Sequence, residues 1–454
     1  MRDLVVFALF IGVLPMCFLR PWVGLCAFTW LAYNRTQDLT WGFARGLPIS
    51  QFIAIFFLLG FVTMEARKPV VRGPLTKAAL LLLVWVGLSM LATGMNWDRQ
   101  GKNFSELAKV ILISILTGTM IVNRARLRVM MAVISLGLGF FGFKNGVLLM
   151  FGSRSIIGPG GMMTDNNDFA LALAMNMPFL FYLADEMRPL KHGRLISRFM
   201  RVTFFFNFLA IMSTGSRGGF LATVVGTLII AWKTKWKVPA LAGIVLGGLL
   251  FLAAGPAEYR ERLSSIFSGL SDGGEMDESA KGRLVSWTVA FRMVNANPVF
   301  GIGLQNMVKR YPDFTEGLVS ETGTTEFKAH VAHNSYLQIM AESGYPAYVL
   351  FMFILVGSIV TLQMYSRRYR GPVDEWVLPY CRALQISLLI FMIGGTFLSR
   401  SHFDLVYQLV FIISAIPAVV AHERVRDVPQ RSGPRVAQDV SVAHRDPFVR
   451  APSR

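Results

Sequence analysis

Three side chains in this sequence have the type and setting for group-transfer chemistry: His333, Arg217 and Arg283. His333 and Asn334 open the stretch HNSYLQIMAESGYP, an apolar helix pattern interrupted by Gln338 and Glu342. Ser335, with Gln338 three residues on, fits a capping box, so a helix is predicted to start just after the HN pair. Unpaired backbone N–H groups and the helix dipole disfavour an imidazolium there, and His333 is therefore expected to stay neutral and able to accept a proton. A second reading leaves it as an interfacial histidine that only hydrogen-bonds its loop. His330 gives HVAH, a metal-ligand spacing, but with no third ligand nearby no metal site is expected.

Arg217 sits in STGSRGGF, at the expected outer end of an apolar span. A guanidinium among glycines and small hydroxyls suits bidentate binding of phosphate; the alternative is an arginine that snorkels at a helix end. Arg283 and Trp287, four apart on a predicted loop helix, could offer a cation and a stacking face to a sugar phosphate, or could be a surface cation–π pair. Lys144, in GFFGFKNGVLLMFG, is an ammonium within an apolar run, costly there unless it is functional or snorkels to the surface. Beyond it, GPGGMMTDNNDFA ends at a predicted helix start. Capping explains one of Asn166, Asn167 and Asp168 and leaves the other two available for substrate.

These residues need elements to hold them. The 454-residue chain is 54% hydrophobic, with a mean hydropathy of +0.50, and carries apolar runs approaching the roughly 20 residues that cross a bilayer as helix. It reads as an all-α polytopic membrane protein. Spans are predicted at 47–64, 77–95, 104–122, 128–150, 168–186, 199–213, 217–233, 237–255, 335–363, 378–398 and 403–421. Residues 4–33, split by Arg20 and Pro21, form either one broken span or a hairpin, for about 12 or 13 transmembrane helices respectively. The first run lacks a small-residue cleavage site and is read as a retained anchor. Cys17, Cys26 and Cys381 all lie in apolar segments, so no disulfide framework is expected.

The net charge of +18 is not read as a nucleic-acid signal, because the basic residues cluster in alternate short loops. Those loops hold about 18 Lys and Arg against about 6 in the loops between, which assigns the rich side to the cytoplasm. Four regions follow: N-terminal transmembrane helices over 1–255, a periplasmic loop domain over 256–334, C-terminal transmembrane helices over 335–421, and a disordered cytoplasmic tail over 422–454. Within the loop domain, Leu263, Ile266, Phe267 and Leu270 have the spacing of an amphipathic surface helix. RLVSWTVAFRMVN is predicted helical again, stopped by Asn297-Pro298 and the glycines of PVFGIG.

Lys144, Arg217, Arg283 and His333 are thus expected at one membrane face, three cations and one neutral base. That suits an anionic substrate borne by the membrane. A donor there must bring its own leaving group, as a polyprenyl diphosphate sugar does. The arginines would stabilise charge on the departing diphosphate, and His333 would take the proton from the acceptor hydroxyl.

Three motifs give the chain a resemblance to the O-antigen ligase and polymerase superfamily of bacterial membrane glycosyltransferases. STGSRGGF looks like its outer-face arginine motif. RLVSWTVAFRMVNANPVFGIG looks like its loop segment, an arginine, a tryptophan four later and a Pro-x-x-Gly-x-Gly turn. HNSYLQIMAESGYP looks like its histidine motif, in which nine residues separate the HN pair from a glycine, here Gly344. That motif usually closes with Gly, Thr or Tyr three positions later, where this chain has Ala347. The N-terminal stretch MRDLVVFALFIGVLPMCFLRPWVGLCAFTWLAYNRTQDLTWGFA is similar to that of the O-glycosylation ligases associated with the exosortase A system, except that Asn34-Arg35 stands where asparagine-proline is common. Lys144 and the GPGG…DNND stretch look like the same subgroup.

The resemblance implies an inverting, metal-independent and cofactor-free transfer of a lipid-linked glycan at the periplasmic face of the bacterial inner membrane. Arg217 and Arg283 would bind diphosphate and His333 would activate the acceptor, with Asn334, Lys144, Asn167 and Trp287 among the substrate contacts. The implied partners are a polyprenyl diphosphate-linked glycan donor and a glycan, lipid or exported-protein acceptor, in the company of exosortase-system proteins. Two alternatives stay open: a polymerase extending an exopolysaccharide on its own carrier, and a transporter or flippase of an anionic lipid-linked glycan. Paired broken helices in two matching halves, as inverted repeats would give, are absent from the pattern.

Overall fold

The computed structural model describes residues 2–65, 73–94, 97–151, 158, 160–161, 163–234, 278–319 and 327–427. Among them there are helices and turns and no strand, only one isolated bridge between Gly160 and Met163. The helices are α1 (Arg2–Leu19), α2 (Pro21–Asn34), α3 (Ile49–Thr63), α4 (Pro74–Ala92), α5 (Lys102–Met120), α6 (Arg124–Met150), α7 (Asn166–Tyr182), α8 (Gly193–Ser213), α9 (Arg217–Lys233), α10 (Glu278–Ala296), α11 (Met307–Arg310), α12 (Ser335–Arg368), α13 (Val377–Gly394) and α14 (Asp404–Asp427). Seven are long and apolar enough to cross a membrane, and the shorter α3 is apolar too. This is a multi-pass, all-α membrane protein. The expected span at 237–255 and the amphipathic helix around Leu263 lie outside the described residues.

The N-terminal segment is a hairpin. Only Arg20 separates α1 from α2. Asp3, at the start of α1, accepts hydrogen bonds from the backbone N–H groups of Gly42 and Ala44 at 2.9 and 3.2 Å, beyond the far end of α2. At the other end a Cβ on Gly24 would come within 3.0 Å of Cys17. The helices therefore lie antiparallel, which a single bent span could not do. With 14 residues, α2 is about 21 Å long, short against a hydrocarbon core of about 30 Å.

Ion pairs mark one end of the bundle. Arg124 Nη2 meets Glu186 at 2.9 Å, Arg126 meets Glu65 at 3.3 Å, the backbone N–H of Arg124 donates to Glu423 at 3.0 Å, and Arg424 pairs with Asp374. The Arg124–Arg128 cluster and Arg424 thus share one end, paired with carboxylates there. Glu423 and Arg424 also show that residues 422–427, expected in the disordered tail, are the last turn of α14. The remainder of that tail lies outside the described residues.

At the opposite end gather the starts of α7, α9, α12 and α14 and the ends of α6, α8 and α13. A buried polar strut runs below it: Tyr33 donates to Gln408 Oε1 at 2.7 Å, and the Gln408 amide reaches Thr29 and Thr117.

Candidate functional site

The HN pair stands on a half-helix. Gly344 interrupts α12 with φ 79° and ψ 176°, so residues 335–343 form a separate buried segment above the longer span. The break frees carbonyls, and the PVFGIG turn fills it. Ile302 N–H donates to Ala341 O, Gly303 N–H to Glu342 O, and Tyr345 N–H to Pro298 O, each at 2.9 Å. α4 adds two donors, Trp85 Nε1 to Ser343 O at 3.0 Å and Ser89 Oγ to Phe300 O at 2.5 Å. A Cβ on Gly344 would lie 2.0 Å from Val299 O, and one on Gly301 2.5 Å from the Glu342 carbonyl carbon. The glycines of both motifs are therefore a single joint that locks the loop region to the half-helix.

His333 precedes this segment with φ 45°, a left-handed backbone that few non-glycine residues adopt and that accumulates at functional sites. The cap is Asn334, whose side-chain oxygen accepts from Tyr336 N and Leu337 N at 3.0 and 3.1 Å. The capping box expected at Ser335 and Gln338 does not form, because Ser335 is used elsewhere and Asn334 has the extended backbone of a cap. With its oxygen spent, Asn334 has only its amide N–H groups to offer a substrate.

α10 presses against the same turn. Trp287 Nε1 donates to Ala332 O at 2.9 Å, fixing the residue next to His333. Arg283 lies one turn before Trp287. Burial first, then the charges of Arg283 and His330, hold the His333 imidazole below its ordinary value, against an opposing pull from Asp165. Burial and Arg283, rather than the helix dipole, are thus the main influences that favour the unprotonated His333. Among the described residues no group of three or more His, Cys, Asp or Glu comes together to complete the HVAH pair.

STGSRGGF makes the tight connection between α8 and α9. Gly215 takes φ 70°, and Ser216 caps α9 by accepting from Gly219 N at 3.1 Å. Arg217, the first helical residue, is exposed. Its glycines serve packing rather than ligand approach: a Cβ on Gly218 would meet Phe397 at 2.7 Å, and one on Gly219 would meet Ala170 at 2.6 Å. Phe397 belongs to the connection 395–403 between α13 and α14, and that connection is stitched to the HN turn. Ser335 N–H donates to Gly395 O at 2.7 Å, Ser335 Oγ to Leu398 O at 2.5 Å, and Arg400 N–H to Ser335 Oγ at 2.9 Å. The loop thereby ties the α9 start to the α12 start, and Arg217 and His333 lie at the same end of the bundle.

The third wall is the start of α7. Asp165, not one of the three expected residues, is the cap, accepting from Asn167 N at 2.8 Å. Asp168 is buried and ion-paired with Arg400, so it serves the scaffold. Asn167 is half-buried beside it. The charge of Asp165 acts on both His333 and Arg400, so the α7 start lies at the same end of the bundle as the HN turn. Lys144 is at the same end of the molecule: 20 residues beyond Arg124 on α6, it stands about 30 Å along the helix. Its Nζ lies 5.5 Å from the Phe141 ring, and no contact among the described residues carries it to His333.

Beside the α12 start opens a cavity of about 400 Å³, lined by Tyr33, Arg35, Glu106, Gly161, Gln338 and the stretch Ser399–Leu405, among others; His333, Arg217, Asn167 and Lys144 are not among its lining residues. Arg35 explains a sequence departure. It closes α2 at φ 45°, a value no proline can take, pairs with Asp38 at 2.5 Å, and lies over Gly161, where a Cβ would fall 2.6 Å from its guanidinium. Arg400, His402 and Gln338 were not singled out in the sequence as ligand contacts. The signal was SRSHFD, residues 399–404, a polar interruption between two apolar spans on the face already assigned to His333. Burial, then Arg400, pushes the His402 imidazole down to about 4, so it too is neutral.

The motifs that build the joint, the HN turn and the arginine cap fall in one contiguous region. Residues 202–352 match the family model described as O-antigen ligase. That match contains Arg217, Arg283, Trp287, His333, Asn334 and Gly344, and supports a glycan-transferring, ligase-like function for this membrane protein. Residues 1–182 match a family of unknown function (DUF5935), which takes in Arg35, Lys144, Asn167 and Asp168. Arg400 and His402 lie outside both matches. No curated protein matches the chain.

Proposed function

We propose that the protein transfers a glycan from a polyprenyl diphosphate carrier to an acceptor hydroxyl at the periplasmic face of a bacterial inner membrane, as an O-glycosylation ligase of the exosortase A-associated kind. The observation that supports this reading is the setting of His333, where burial and the charge of Arg283 favour the unprotonated imidazole, at the bundle end that also bears Arg217. His333 takes the proton of the acceptor hydroxyl, whose oxygen attacks the anomeric carbon as the bond to the diphosphate breaks. Arg217 and Arg283 stabilise the charge left on the departing diphosphate. Trp287 holds the backbone that presents His333, and Asn167 and the Asn334 amide offer hydrogen bonds to the substrates. Lys144 adds a positive charge on the same face. A single displacement of this kind inverts the anomeric configuration and calls on no metal or cofactor.

The test uses purified protein in nanodiscs with its lipid-linked glycan and an acceptor. His333→Ala and Arg217→Ala are expected to abolish transfer, and wild-type rates in both would reject the mechanism. Sizing the carrier-bound glycan after gene deletion separates the chemistry's two forms. Long glycan accumulates if a ligase is lost, short glycan if a polymerase is lost.

A further inference from the structure

The cavity beside the HN turn has a chemistry distinct from that of the arginines. Among the described residues, four buried polar atoms of its lining have no hydrogen-bond partner: Gln338 Oε1, Ser399 Oγ, His402 Nε2 and Asp404 Oδ1. Buried polar groups in folded proteins are nearly always paired with protein or water, so four such atoms on residues of one lining leave hydrogen-bonding capacity for an occupant of that space. Gln338 Oε1 and Asp404 Oδ1 accept, Ser399 can do either, and a neutral His402 either donates or accepts at Nε2.

The lining suits a neutral ligand better than a phosphate. Both arginines in the lining are engaged, Arg35 with Asp38 and Arg400 with Asp168, Glu106 is paired with Lys109, and Asp404 is a further polar residue of the lining. Unspent acceptors beside cations that are already paired match hydroxyl groups. Tyr33 and Phe403, both almost fully buried, close its apolar side. The position also fits: Gln338 N–H donates to Asn334 O at 2.9 Å, so Gln338 lies one helical turn from the HN pair.

From this geometry we infer that the cavity is a binding site for a neutral, hydroxyl-rich saccharide ring, with Gln338, Ser399, His402 and Asp404 as its polar contacts. Its walls come from the region matching the family of unknown function on one side and from the α12 start and the 395–405 connection on the other. The N-terminal third of the chain therefore contributes to ligand recognition. The pocket's role as a substrate subsite rests on the transfer reading above; its affinity for saccharide does not.

The probe is the glycan freed from its carrier by mild acid, lacking both lipid and diphosphate, observed by saturation-transfer NMR on the full chain in nanodiscs. Ring-proton signals are expected with wild-type protein and with Arg217→Ala, and are expected to be lost in Gln338→Leu and Asp404→Leu. Ser399→Ala, the smallest change, is expected to weaken them while keeping the wild-type melting temperature. No signal with wild-type protein, equal signals in all pocket variants, or equal loss in Arg217→Ala overturns the assignment. In transfer assays Ser399→Ala should raise KM for the acceptor if the acceptor's sugar occupies the pocket, or for the donor if the donor's does. A change in neither overturns it as a subsite. Saccharide binding that persists while His333→Ala still transfers sinks the mechanism and leaves the pocket standing.

Discussion

Replacing Gly344 by alanine isolates the joint on which the site depends. The residue has φ 79° and ψ 176°, a region used almost only by glycine, and holding another residue there costs roughly 1 to 3 kcal/mol. The added Cβ would also sit 2.0 Å from Val299 O. Neither side can yield freely, because Tyr345 N–H to Pro298 O, Ile302 N–H to Ala341 O and Gly303 N–H to Glu342 O bind the turn to the break. Relieving the clash sacrifices two or three of these bonds at about 1 kcal/mol each, for a total on the order of 4 kcal/mol. Gly317→Ala is the control: Gly317 has φ 70°, a Cβ added there would meet no atom within 4 Å, and the change should cost only about 1 kcal/mol. In detergent, the melting temperature of Gly344→Ala should fall by on the order of 5 to 10 °C, against about 2 °C for Gly317→Ala. Transfer should fail in the former alone, because the His333 turn is no longer held to α10. Equal shifts in the two variants, or wild-type behaviour in Gly344→Ala, would refute the interlock.

Three further outcomes follow from the site. His333 acts as a base only when unprotonated, and burial and Arg283 hold it below its ordinary 6.5; the acidic limb of the rate profile should therefore lie below that pH and move upward in Arg283→Gln. A limb that stays put would remove Arg283 from the neighbourhood of His333. Asp168→Asn strips the partner from Arg400 and leaves a largely buried guanidinium uncompensated, a loss of about 2 to 3 kcal/mol once partial exposure is allowed for; unchanged thermal stability would show that the pair does not organise the loop. Arg35→Pro should destabilise far more than Arg35→Ala, since proline cannot adopt the φ of 45° found there; equal melting curves would contradict that backbone.

Much of the architecture was legible from residue order alone, because each apolar run must satisfy its own backbone inside a bilayer and so becomes a helix of nearly calculable length. The span from 217 to 233 coincides with α9, and the run from Arg283 to Asn295 falls within α10. Choosing between one bent span and a hairpin at Arg20 was beyond the sequence, since hydropathy is the same for both; the contact of Asp3 with residues 42 and 44 decides it. Capping residues were misjudged at two helices, Asn334 rather than Ser335 and Asp165 rather than one of its three successors. Several polar residues in a row can each cap, and which one does depends on what the others are needed for.

Residue types and spacing by themselves drew attention to His333, Arg217, Arg283 and Trp287, because an imidazole, two cations and an aromatic ring stand in short polar motifs at the expected outer face. Tertiary structure alone decided what surrounds them. Asp168 and Arg400 are 232 residues apart, and the Gly344 break fits a turn more than 40 residues earlier in the chain, about which local spacing carries no information. Long-range packing brings such groups together, and only there does a polar loop such as SRSHFD become the wall of a cavity.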